Sequence, residues 1–105
     1  MFKDVRDEFN RILDSADISY TVSQFKGGYQ WTFPNYPHGD IAIHSGTYYS
    51  DEGFLESYGM PWDNGDVSIY KPYDMALLLQ GLPPREESRG YDLSDTWDSL
   101  LTMLG

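Results

Sequence analysis

Apolar residues near the start of the chain fall at Phe2, Val5, Phe9, Ile12 and Leu13, at spacings of three, four, three and one. This stripe belongs to an amphipathic helix resting on a core, and it predicts a helix over 2–15. Lys3, Asp4, Arg6, Asp7, Asn10 and Arg11 fill the outer face, and Asp4, Asp7 and Glu8 gather near the positive end of the helix dipole. The period then shortens to two. Ile18, Tyr20 and Val22 alternate with Ser19, Thr21 and Ser23, as in a half-buried strand. Lys26-Gly27-Gly28 supplies the positive-φ residues of a hairpin turn, and Tyr29, Trp31 and Phe33 form the return strand.

Beyond Phe33 the pattern is punctuated. The run Pro34-Asn35-Tyr36-Pro37-His38-Gly39 predicts a turn, after which Ile41 and Ile43 open a third strand, extended past Gly46 to Tyr48 and Tyr49. Residues 50–65 carry Gly or Pro every few positions and hold no period, which predicts a long loop with one helical turn near Phe54–Glu56. A loop of this length in a small domain is more often functional than decorative. Asp63-Asn64-Gly65 turns the chain into a fourth strand, Asp66–Tyr70, with Val67 and Ile69 inward. Pro72 suits the first turn of a short apolar helix over 73–80, stopped by Gly81. A solvated connection over 82–90 leads to a last helix from Asp92 or Ser94 to Leu104, with Trp97, Leu100, Leu101 and Leu104 as its buried stripe. The expected fold is a single α+β domain, an antiparallel sheet of about four strands with helices packed on it, in the order α-β-β-β-β-α-α.

At 105 residues there is room for one core. The absence of Cys excludes disulfides, thiolate nucleophiles and Cys-type zinc sites. Met1-Phe2-Lys3-Asp4-Val5 has no apolar leader segment, and the longest apolar run is Met75–Leu79, so a soluble cytoplasmic protein is expected.

Charge changes the picture most. Seventeen acids against seven bases give a net charge of −10, a surface that repels nucleic-acid backbones and anionic membranes and attracts basic partners. Between Lys26 and Lys71 there is no Lys or Arg, while Asp40, Asp51, Glu52, Glu56, Asp63 and Asp66 all fall there.

Candidate chemistry is thin. His38, His44 and Asp40 make a poor metal set, since no third nitrogen or sulfur ligand accompanies the two histidines. Asp63-Asn64-Gly65-Asp66 lacks the alternating ligands and terminal Glu of a calcium loop. No Ser lies in a G-x-S-x-G context and no phosphate-cradling Gly-rich loop is present. A carboxylate pair for glycoside chemistry would need a deep cleft. The expectation is a protein that is not an enzyme and holds no cofactor or metal.

Direct nucleic-acid binding calls for bases among aromatics. Here acids stand among aromatics, which suits a protein that covers the Arg/Lys surface of a nucleic-acid-binding protein. In size, charge and the acid–aromatic stretch from Asp40 to Asp66, the chain resembles small phage-encoded inhibitors of host defence, of the anti-CRISPR and anti-restriction type. The resemblance implies a cytoplasmic inhibitor in the host cell that binds a CRISPR effector or another host-defence nuclease. The candidate contacts are Asp51, Glu52, Glu56, Asp63 and Asp66, with Tyr58 and Trp62 as aromatic anchors. The alternative is an immunity or accessory protein acting through a homodimer or toxin complex, its cue the apolar Met75–Leu79 segment. A small hydrolase is the third possibility.

Overall fold

The computed structural model describes residues 1–89. Their order is α1 (Lys3–Ser15), β1 (Thr21–Phe25), β2 (Gly28–Phe33), β3 (Tyr36–Ile43), a 3-10 turn (Ser50–Glu52), β4 (Leu55–Tyr58), β5 (Val67–Tyr70) and α2 (Pro72–Leu79). The five strands form one antiparallel sheet in sequence order, β1-β2-β3-β4-β5. The chain is thus α+β, an antiparallel sheet with helices packed on it, with one strand more than expected. The helix expected from Asp92 or Ser94 to Leu104 lies outside the described residues.

Both helices end in the same way, with a residue in the left-handed region closing the last turn. Asp17 (φ 56°) ends α1, where the Ile18 N–H reaches the Leu13 carbonyl at 3.0 Å. Gly81 (φ 75°) ends α2, where the Leu82 N–H reaches the Leu77 carbonyl at 2.9 Å. The helical stripe of α1 lands where its spacing requires. Phe9 and Leu13 are buried, and Phe2, Val5 and Ile12 pack around them.

Trp31 of β2 is fully buried at the centre of the core. Its ring meets Phe9 edge-on at 5.0 Å, and its Nε1–H donates to the Asn10 Oδ1 at 2.7 Å. The polar handle of the indole is thereby satisfied inside the fold. Ile41, Ile43, Leu55 and Met60 extend the core from the sheet, and Met75, Ala76 and Leu79 close it from α2.

Strand pairing sorts the remaining residues, because opposed residues share a face. Val22, Trp31, Ile41, Ser57 and Ser68 form one row on the face that carries α1 and α2. The second face carries two rows. One is Thr21, Thr32, Asp40, Tyr58 and Val67; the other is Ser23, Gln30, Ala42, Glu56 and Ile69.

Several expectations need correction. The turn assigned to 34–39 is only Pro34-Asn35: Phe33 pairs with Tyr36, and β3 begins there. Pro37, His38 and Gly39 form a bulge, since Thr32 next pairs with Asp40, and a bulge tolerates a proline that cannot donate. The third strand stops at Ile43 rather than reaching Tyr48. His44 and Thr47 lock a turn there, with the Thr47 N–H donating to the His44 carbonyl at 3.0 Å. The segment 50–65 is not one long loop. Its helical turn lies at Ser50–Glu52, and Leu55–Tyr58 is a strand inside the sheet, paired on both sides.

Ile69 is fully buried, but on the second face, opposite Glu56, and not inward with the main core. The Met75–Leu79 segment is not a surface patch. Met75, Ala76 and Leu79 are buried and Leu78 packs against the core, so the cue for the homo-oligomer or toxin-complex alternative lies inside the fold.

Candidate partner-binding surface

The second face gathers part of the expected contact set and disperses the rest. Tyr58 is 59% exposed. It stands between Asp40 of β3 and Val67 of β5 as a directly paired neighbour, with Glu56 two residues earlier on the same face. Asp66 is exposed immediately before Val67. Two carboxylates, Asp40 and Glu56, therefore flank one exposed phenol ring on this face, Asp66 stands in the turn just before β5, and the two rows contain no Lys or Arg.

Neighbouring groups orient these carboxylates. The Gln30 Nε2–H donates to the Asp40 Oδ2 at 2.7 Å, and the Tyr48 N–H donates to the Glu56 Oε2 at 3.2 Å. The Asp66 Oδ1 accepts its neighbour's Val67 N–H at 2.8 Å. Asp40 is absent from the sequence-based contact set. Its signal was the alternation Asp40-Ile41-Ala42-Ile43, which puts Asp40 on the face away from the two isoleucines.

Asp51 and Glu52 are exposed but lie elsewhere. They belong to the 3-10 turn that leads into the Leu55 end of β4, whereas Asp66 sits beside its Tyr58 end, about 10 Å of strand away. With Phe2, Val5, Thr47 and Ser50, they line an open groove of about 730 Å³ against the start of α1.

The stretch that lacks bases in sequence does not lack them in space. The Lys71 ammonium donates to the Glu52 carbonyl oxygen and stands 4.6 Å over the Phe54 ring. Arg89 approaches the Glu52 Oε1 at 3.5 Å and stacks 4.4 Å over Tyr49. Arg89 thus partly neutralises the Glu52 carboxylate, while Lys71 holds the Glu52 backbone beside it.

Asp63 and Trp62 also change standing. Asp63 is 4% exposed, and its carboxylate is used internally: Oδ1 accepts from the Ser57 hydroxyl at 2.8 Å and Oδ2 from the Met60 N–H at 2.9 Å. The Trp62 Nε1–H donates to the same Ser57 oxygen at 3.0 Å, and its ring meets Tyr36 edge-on at 5.8 Å. Asp63 is thus a brace of the loop and not a free charge, and Trp62 is turned inward. Gly59, next to this brace, has a φ of 76°, and a Cβ there would run into the His38 carbonyl of the bulge, so no side chain fits.

His38 is exposed on the bulge. His44 accepts the Gly46 N–H at its Nδ1 at 3.0 Å and meets Phe25 edge-on at 5.6 Å. Among the described residues, no three His, Asp or Glu stand close enough to hold a metal ion, and no helix is long and apolar enough to cross a membrane. Comparison with protein-family models, with curated proteins and with solved structures finds no match to this chain.

Proposed function

We propose that the chain is an acidic protein-binding inhibitor that covers the basic nucleic-acid-binding surface of a partner, such as a CRISPR effector or another host-defence nuclease. One observation carries this: the exposed Tyr58 ring lies on a sheet face with Asp40 and Glu56, on rows that hold no base. A sheet holds such groups at fixed spacings, so the carboxylates meet Arg and Lys side chains with little loss of freedom. Charge across such a contact mainly speeds encounter and selects the partner, while the buried ring supplies affinity.

The experiment is capture of nucleic-acid-binding proteins on the immobilised chain, followed by titration of the captured partner. Asp40→Lys and Glu56→Lys should each weaken binding more than Asp51→Lys, which lies in the 3-10 turn outside the two rows. Affinity should fall at least about tenfold between 0.1 and 1 M salt, as the screening length shrinks from about 10 to about 3 Å. Equal effects of the three reversals, or binding indifferent to salt, would remove this face as the contact.

A further inference from the structure

The sheet has two edges, and the described residues treat them differently. Beside β5 the chain returns: the Ile69 N–H donates to the Ser88 hydroxyl at 2.8 Å, and the Arg89 N–H donates to the Ile69 carbonyl at 2.9 Å. β1 forms the opposite edge, and among the described residues no strand pairs with its outer side.

An edge strand is a template for further pairing unless charge, proline or a bulge blunts it. Thr21-Val22-Ser23-Gln24-Phe25 has none of these: it holds no ionisable residue and no Pro, and its five pairs with β2 run without interruption.

The turn fixes which backbone groups point outward. Lys26 (φ 51°) and Gly27 (φ 81°) form a two-residue loop of the type that matches strand twist, closed by the Phe25–Gly28 pair. Counting back from that hydrogen-bonded pair, Phe25, Ser23 and Thr21 bond to β2, while Gln24 and Val22 present N–H and C=O to the outside.

We infer that β1 is the docking edge for a second copy of this chain, joined antiparallel about a two-fold axis at Ser23. In that register Val22 of one copy lies opposite Gln24 of the other, so both outward-pointing residues exchange their backbone bonds, giving four in all. Ser23 faces its own counterpart in a non-hydrogen-bonded pair. The absence of charge selects the occupant. A strand from a basic partner gains no ion pair along β1, whereas two copies of a chain with net charge −10 meet there without opposing like charges. The axis runs through the plane of the sheet, so both Tyr58 surfaces lie on the same side of the joined sheets. This inference rests on the edge and is independent of what the Tyr58 face binds.

The test is sedimentation equilibrium of the full chain, with an expected mass twice 12.1 kDa. Gln24→Pro removes an outward N–H and leaves the β1–β2 ladder intact. Ser23→Lys sets two ammonium groups directly opposite each other. Each should weaken the dimer at least about tenfold with the thermal midpoint of the dilute monomer unchanged. The chain has no Cys, so Ser23→Cys reports on the axis alone. It should cross-link under mild oxidation, while Thr32→Cys, one strand further in, should not. A monomer up to the solubility limit would overturn the inference. So would a dimer that withstands both substitutions, or equal cross-linking at the two sites.

Discussion

The Ser57 hydroxyl donates to the Asp63 carboxylate at 2.8 Å, and both side chains are buried. This contact joins β4 to the turn before β5, and the Trp62 indole completes it by donating to the same Ser57 oxygen at 3.0 Å. A polar pair thereby occupies a position that other strands fill with an isoleucine or a tryptophan.

Asp63→Ala should therefore cost stability and not partner affinity. The change leaves the Met60 N–H and the Ser57 hydroxyl without their acceptor in a buried site, at about 1–3 kcal/mol. Urea unfolding should show the loss. Trp62→Phe, which keeps the ring against Tyr36 but deletes its donor, should cost about 1 kcal/mol. A full-stability Asp63→Ala protein that no longer binds would return Asp63 to the contact surface.

Asp74 ties the segment after α2 to the body of the fold. It is 3% exposed and accepts from the Arg85 N–H at 3.0 Å and the Arg85 Nε–H at 3.1 Å. Asp74→Ala should release this segment and raise the rate of tryptic cleavage after Arg85 by about tenfold or more. Arg85→Ala keeps the backbone bond but takes one donor from the buried carboxylate and removes the stack over Tyr73, so it should cost stability, though less than Asp74→Ala. An unchanged cleavage rate in Asp74→Ala would refute the tether.

Stability should fall at alkaline pH. Burial raises the Tyr70 phenol above its ordinary value, opposed by the hydrogen bond from the Ser88 backbone and aided by the charges of Asp63, Asp74 and Glu87. Burial also raises Tyr20, helped by its hydrogen bond to Asp14. A raised phenol pKa means that the unfolded chain loses its proton first. The contribution is therefore fully present below about pH 10 and is lost as pH rises through the folded value. Denaturant midpoints should hold to about pH 9 and decline above 10, with a shallower decline in Tyr70→Phe. Equal slopes in the two proteins would contradict this.

Where local pattern and burial agree, the sequence was legible. The stripe of α1, the Lys26-Gly27 hairpin and the Gly81 stop all act over a few residues, and each appears at or within a residue or two of its expected place. β4 was hidden because its second inward residue is Ser57, whose burial depends on Asp63 and Trp62 and leaves no apolar alternation to read. The bulge at Pro37–Gly39 hid the start of β3 in the same way, since proline and glycine signal a turn unless the partner strand is known. The surface was half legible. Tyr58 and Glu56 share a face by strand alternation and Asp40 joins them because β3 and β4 pair, whereas the cations beside Glu52 come from residues 71 and 89, which no local window joins to it.

Competition at the partner tests the central claim most directly. A labelled nucleic acid is bound to the captured partner and followed by fluorescence anisotropy as the chain is added. The wild-type chain should release it at stoichiometric concentration. Tyr58→Ala should need roughly thirtyfold more, the effect of losing an anchor of about 2 kcal/mol, with an unchanged thermal midpoint. A chain that binds the partner while the nucleic acid stays in place would contradict the account, as would a Tyr58→Ala protein that competes as well as wild type.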